Sequence, residues 1–401
     1  MALTVVAWAL FQPVAPGPAV GAAITLVGLH LTGVILGRQR LSRTDGFVLT
    51  LLGAVLLATA CSPNPARSLN FALKYWHFAL VPAVAAIPLR TLRRFLPAFL
   101  AAGTFSSLIA GLAAVGELLT RRSLKWDLLW RRPLARDPAM VYGFFDHYMT
   151  FAGFVAVVTF ACSGLALFHR DRRVRRQAGT ASLGGGLLLL FLRKRTYWVS
   201  GGAGLLLLAL RLRARRALVL LAVTVLVFSG AALLGRDLRE RFFRIADLSD
   251  NQQRIGFWIA GWEMWKDRPL VGWGPGGYRL KGQPYLDRVF TRRAIAQGYQ
   301  GNFTHVHNVY LQLLVEGGAL LLGAYLVFLG YLLRRTGADW WARGAPGEAA
   351  AFGAGVFALL VTVSIAGVFE WNIMDKEVGM PVFFAAGLYL LFKQGEKDGS
   401  S

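Results

Sequence analysis

The sequence predicts an all-α integral membrane protein with about twelve transmembrane helices. Three observations carry that expectation. Apolar runs close to membrane-spanning length recur along nearly the whole chain. Only 16% of residues are charged, where a soluble domain carries roughly a quarter, and mean hydropathy is +0.49. The basic residues are also sorted, concentrating in alternate loops between the apolar runs.

The runs lie at about 2–14, 19–36, 46–60, 71–89, 95–116, 147–168, 178–192, 196–210, 217–234, 309–333, 350–369 and 378–392. The first opens without a basic n-region or a small-residue cleavage signature, so it is expected to be a retained span, crowded at its end by Pro13, Pro16 and Pro18. The runs 178–192 and 196–210 are short, and only Arg193-Lys-Arg195 separates them. An even count places Arg38, Arg40 and Arg43, then Arg90, Arg93 and Arg94, on one side. Arg170 to Arg176, Arg211 to Arg216, and Arg334, Arg335 and Arg343 join them there, the positive-inside pattern with both termini cytoplasmic. Domain organisation follows: 1–234 holds nine spans and an outer loop at 117–146, 235–308 is one large outer loop, and 309–401 holds three spans and a short tail.

Net charge is +23. Because the excess sits in short loops between apolar runs, it points away from nucleic acid and toward membrane topology combined with an anionic lipid substrate. The two long outer loops are basic as well, which fits either an anionic partner or contact with membrane lipid headgroups. Cys61 and Cys162 are the only cysteines and imply no disulfide framework.

One stretch organises the rest: Asn302 to Leu321 puts His305, His307 and Asn308 at the mouth of a long apolar run. Ionisable groups at a membrane edge are functional candidates. Upstream, 249–268 reads as an amphipathic helix, capped by Ser249, Asp250 or Asn251 and ended by Pro269. Its Ile255, Trp258, Ile259, Trp262 and Trp265 repeat at helical spacing, which predicts a tryptophan face lying on the outer leaflet. Arg254 near its start is a planar, permanently charged fork suited to phosphate. The following Pro269 to Tyr278 segment, with Gly272, Gly274, Gly276 and Gly277, predicts tight turns, and no Gly-Lys-Ser/Thr follows to make a nucleotide loop.

His307-Asn308, nine residues, then Gly318-Ala-Leu-Leu321 resembles the H[NSQ]-x9-G-x-x-[LV] signature of O-antigen ligases. The order Arg254, Trp258, Pro269-Leu-Val-Gly-Trp-Gly, Tyr278, His305, His307 is similar to the core of the wider superfamily, which also holds O-antigen polymerases and protein O-oligosaccharyltransferases. Arg195, with Thr196 and Trp198, resembles the family arginine that opens a span before the large loop, although Lys194 stands where a serine is usual. The resemblance implies a GT-C-like glycosyltransferase in the inner membrane of a Gram-negative bacterium. It would act at the periplasmic face, the large loop being periplasmic and carrying amphipathic helices. Its donor would be an undecaprenyl-pyrophosphate-linked glycan and its acceptor a lipid A-core sugar, with no nucleotide sugar, cofactor or metal.

The chemistry of that transfer asks for little more than a base and cations. Pyrophosphate is a good leaving group, so paired glycosidase carboxylates are not required. The acceptor hydroxyl needs a base of near-neutral pKa, the role expected of His307. The departing pyrophosphate needs cations, the role expected of Arg195 and Arg254, with His305 and Asn308 orienting the base or a substrate oxygen. His305 reads equally as an ordinary interfacial histidine, and Arg195 also reads as a snorkelling anchor beside Arg193 and Lys194. Glu316, more than two helical turns beyond His307, either orients a histidine or pairs with a basic neighbour. Asp375-Lys-Glu377 with nearby Glu370 is the one acidic group able to hold a divalent ion or a histidine. Few carboxylates accompany the histidines, so a single displacement with inversion is expected. A polymerase or a protein glycosyltransferase would use similar residues. A lipid-glycan transporter would instead keep its charges near mid-membrane.

Overall fold

The computed structural model describes residues 16–88, 111–117, 119–120, 141–192, 194–212, 252–292, 304–341 and 347–397. Among these the structure is helical, without strands. The spans expected at 2–14 and 217–234, most of that at 95–116 and most of the 117–146 loop lie outside the described residues, as do Ser249 to Asn251.

The first half of the chain gives α1 (Pro16–Ile35), α2 (Arg43–Ala60), α3 (Pro65–Ala72), a 3-10 helix (Leu73–Ala79) and α4 (Leu80–Ala85). After these come α5 (Tyr148–Phe168), α6 (Arg172–Phe191) and α7 (Arg195–Arg211). The second half gives α8 (Gln252–Asp267), α9 (Gly277–Lys281), α10 (Gln283–Arg292), α11 (Val309–Trp341), α12 (Glu348–Ala366), a short 3-10 turn (Asn372–Met374) and α13 (Lys376–Lys397). Five of these, α2, α5, α11, α12 and α13, are long and apolar enough to cross a membrane, and Ala19–Ile35 is a shorter apolar helix.

Two expectations change here. The span expected at 71–89 is not one rod, because the backbone passes from α-helix through the 3-10 segment back to α-helix before Pro82. The basic loop before the run at 178–192 is helical too: Asp171 accepts from Arg173 N–H and caps α6, whose first turns carry Arg172, Arg173, Arg175 and Arg176.

The helices run back and forth between two ends. His147 caps the start of α5, which packs along α6, and α6 returns to Lys194 beside it. α11 leaves the same end, α12 comes back to Gly367, and the Val309 N–H to Gly367 O bond (2.7 Å) joins them. The opposite end holds Thr44, 2.9 Å from Tyr331 Oη, together with Arg335 and Lys393. Close helix contact depends on small residues, as at Gly355 of α12, where a Cβ would stand 2.6 Å from the Phe160 carbonyl of α5. Between the 3-10 helix, α11 and α13 the rings of Phe78, Phe328 and Phe383 meet at 4.6 to 6.0 Å and fill the core.

The feature that builds the site is a break in α11. Gly318 has φ +63°, so the helix stops and restarts there. The Pro269–Gly274 loop fills the gap. Ala319 and Leu320 donate to the Pro269 and Leu270 carbonyls, while Trp273 and Gly274 donate to those of Val315 and Glu316. Backbone groups freed by the break are thus paired again by the Pro269–Gly274 loop, far earlier in the chain. A side chain at Gly318 would collide with the Leu270 backbone, which gives the family signature's glycine its physical reason.

Between 252 and 292 the chain forms a small body on Phe257, Ala260, Met264, Tyr278, Leu286 and Phe290, closed by Val306 and Val315. α8 spans nearly the range its sequence pattern predicts and packs its small-residue face against the protein. Gly256, Phe257, Ala260, Gly261 and Met264 turn inward, whereas Trp262 is 47% exposed. Glycine and alanine permit closer approach than the tryptophan flank does: Gly256 lies against the Phe290 ring and Gly261 against Val306 and Leu311.

Candidate active site

The His305–Asn308 turn sits where α8, α11 and the loop after α12 converge. His307 has φ +57°, the left-handed region, and is the one non-glycine residue with positive φ among the described residues. Such a conformation persists only where surrounding bonds hold it. Here Asn308 Oδ1 caps α11 by accepting from Leu311 N–H (3.0 Å), and Gln312 Oε1 accepts from Val306 N–H (2.7 Å).

Glu370 links the turn to α8. Arg254 donates through Nη2 to Glu370 Oε1 (2.6 Å) and through Nη1 to the Phe369 carbonyl (3.0 Å). The other carboxylate oxygen lies 3.7 Å from His307 Nδ1, beyond a hydrogen bond but within strong electrostatic reach. Nδ1 is buried and has no hydrogen-bond partner among the described residues. Burial alone would raise the proton affinity of Glu370, but His307 and Arg254 outweigh it and hold the carboxyl below its ordinary pKa.

Other ionisable groups surround this trio. The His305 ring centroid lies 4.3 Å from that of His307, and Thr304 Oγ1 is 2.7 Å from His305 Nδ1. Burial, then the neighbouring His307, push His305 down to about 3, so it is neutral near pH 7. Phe257 stacks on the His307 ring at 5.9 Å. His147 is lowered first by the protein around it; Glu370 opposes this, while Lys194 and His307 add to it. Lys194 is itself buried, its Nζ 3.4 Å from the Tyr148 ring centroid. Asp375 Oδ2 accepts from Thr150 Oγ1 (3.0 Å), and burial, reinforced by Glu377 and Glu370, raises its carboxyl to about 7.

The structure therefore brings His307, His305 and Arg254 together, as the sequence led one to expect, and adds Glu370 between them. The Asn308 side chain holds the helix start through Oδ1. Arg195 opens α7, half-buried, one residue after the Lys194 whose charge reaches His147. Among the described residues no three His, Cys, Asp or Glu side chains group as metal ligands, so Asp375, Glu377 and Glu370 do not form the ion cage that their sequence proximity allowed. Lys74, on the 3-10 helix, carries a charge that reaches His305 and Asp375; it, His147 and the site role of Lys194 escaped the sequence reading. His147 carried the same signal as His307, a histidine opening an apolar run, but stood alone in sequence.

Fold and site together define a multi-pass helical membrane protein with a strained histidine, a carboxylate and an arginine at one end of the bundle. Residues 179–326, the stretch holding α7, α8, His307 and the break of α11 at Gly318, match the O-antigen ligase family, which bears out the resemblance read from the sequence. No curated protein matches the chain.

Proposed function

We propose that this protein transfers a glycan from undecaprenyl pyrophosphate to a sugar hydroxyl of lipid A-core, with His307 as general base. The observation that carries the reading is Glu370 standing between His307 Nδ1 and the Arg254 guanidinium. With Nδ1 turned to the carboxylate, Nε2 is the nitrogen available to take the acceptor proton. The imidazolium that forms is stabilised by Glu370, in the manner of a carboxylate–histidine pair. The acceptor oxygen bonds to the anomeric carbon from one face while the carbon–oxygen bond to pyrophosphate breaks on the other. The product is inverted and the bonding electrons leave on pyrophosphate.

Glu370 offsets much of the charge of Arg254, so Arg254 alone is a poor clamp for a polyanion. Lys194, Lys74 and Arg195 supply the further positive charge that the leaving group needs. His305, held neutral, and Asn308 complete the wall of the site. No metal or cofactor is needed in this scheme. Among the described residues, the basic flanks at Arg43, Arg172 to Arg176, Arg335 and Lys393 lie at the end of the bundle away from His307, and the positive-inside rule supports a cytoplasmic end there and a site at the periplasmic face of an inner membrane.

The test is reconstitution in lipid nanodiscs with undecaprenyl-pyrophosphate glycan and lipid A-core, with and without chelator, followed by NMR assignment of the new linkage. An inverted anomer formed at equal rates in both arms is the expected outcome. A retained anomer, chelator-sensitive transfer, or preference for a peptide or free-glycan acceptor would overturn it.

A further inference from the structure

We propose that Glu316 and Gln312 are positioning residues for His307, acting through a chain of hydrogen bonds that ties the catalytic turn to the Gly-rich loop and the 3-10 helix. This inference rests on the base role given to His307 above. Glu316 and Gln312 lie one turn apart on the short first half of α11, between His307 and the break at Gly318. Both are buried, as are Tyr75 and Val306. Tyr75 Oη donates to Glu316 Oε2 (2.7 Å), while Gly276 N–H (2.9 Å) and Gln312 Nε2 (2.7 Å) donate to Oε1. The amide of Gln312 is thereby oriented with Nε2 toward Glu316 and Oε1 toward Val306 N–H, 2.7 Å away. Val306 immediately precedes the left-handed His307. Three separated segments, the 3-10 helix, the 272–277 loop and the 305–308 turn, thus converge on two side chains.

The physical consequence is orientation. A left-handed non-glycine residue relaxes toward ordinary φ unless its neighbours hold it, and relaxation at His307 swings the ring away from Glu370. The Gln312–Val306 bond restrains the turn on one side and the Asn308 cap on the other. Without Glu316, the Gln312 amide loses the partner that fixes its direction. Displacements near 1 Å at a reacting group are enough for losses of about a hundredfold in rate.

The experiment compares Glu316→Ala, Glu316→Gln, Gln312→Leu and, as a control at the opposite end of the bundle, Tyr331→Phe. All are prepared in nanodiscs and measured by ligation kinetics, thermal melting and the imidazole NMR resonances of His307, assigned by difference against His307→Asn. Glu316→Ala and Gln312→Leu are expected to lower kcat about 30- to 100-fold with donor KM within about twofold, and to shift the His307 resonances. Glu316→Gln keeps both acceptor and shape, with Tyr75 Oη able to accept in turn, and is expected to stay within about fivefold of the parent. Tyr331→Phe is expected to leave kcat and the resonances alone. The inference is overturned if Glu316→Ala and Gln312→Leu keep kcat within twofold, if the Glu316→Gln loss equals that of Glu316→Ala, or if the His307 resonances do not move. If the parent itself does not ligate, the functional reading falls while the resonances still decide the positioning claim.

Discussion

Two polar clusters in this chain are made of similar groups and behave differently. At the end of the bundle away from His307, Asp339 accepts from Lys393 Nζ (2.8 Å) and Tyr389 Oη (2.7 Å). Glu396 accepts from Lys393 (3.4 Å) and from Ala349 N–H (3.1 Å). Each of these carboxylates has a nearby donor on regular helical backbone. At the other end His307 is left-handed, its Nδ1 lacks a hydrogen-bond partner among the described residues, and Asp375 holds its proton into the neutral range. Paired carboxylates on regular backbone specify and stabilise a fold; backbone strain at a histidine beside a carboxyl that keeps its proton marks the counterpart as a site built for a ligand.

The contrast can be broken experimentally. The largest effect belongs to His307→Ala, expected to lower ligation about 10²- to 10⁴-fold, while the melting temperature stays within a few degrees or rises as backbone strain is relieved. Turnover near the parent rate in a folded variant would remove the base. Next is Gly318→Ala, which forces a Cβ onto the Leu270 backbone at a positive φ and is expected to destabilise by about 2–4 kcal/mol. Unchanged melting would mean that the helix break is not fixed as described.

Asp375→Asn tests the charge state of the site. The folded pKa, about 7, lies above that of an exposed aspartate, near 4, so between those values the folded protein holds a proton that the unfolded chain has released. Stability from this group is fully present below about pH 4 and is lost as pH rises through about 7. The variant is expected to lose less melting temperature than the parent between pH 5 and 8, by about 2 °C; equal slopes would count against a protonated Asp375. The smallest effect is expected from Tyr389→Phe in the paired cluster, a loss of about 1 kcal/mol of stability with turnover unchanged. A fall in turnover there would erase the distinction between the two ends.

Much of this was legible in the sequence, and the limits have physical causes. Apolar runs at 46–60, 147–168, 309–333, 350–369 and 378–392 became α2, α5, α11, α12 and α13, since burial period and length are written locally. The helices overran into their basic flanks because arginine and lysine are good helix formers. The inward face of α8 was not legible, because tryptophan spacing marks the opposite flank and not the close packing that Gly256, Ala260 and Gly261 permit. Arg254, His305 and His307 were visible as charges at an apolar edge. Glu370 was visible as one of an acidic group able to hold a histidine; which histidine, its bond to Arg254 and the place of His147 were not, because their partners lie far away in sequence. Glu316 was weighed as an orienter of histidine, and the intermediary Gln312 needed the structure.

One double-mutant comparison tests most directly whether Glu370 and His307 act as one unit: ligation rates of Glu370→Gln, His307→Ala and the pair, in nanodiscs at one pH. If the carboxylate works by stabilising the imidazolium, Glu370→Gln alone costs about tenfold or more, and adding it to His307→Ala costs almost nothing further. Losses that simply multiply would contradict that, and would leave the carboxylate as a partner of Arg254 only.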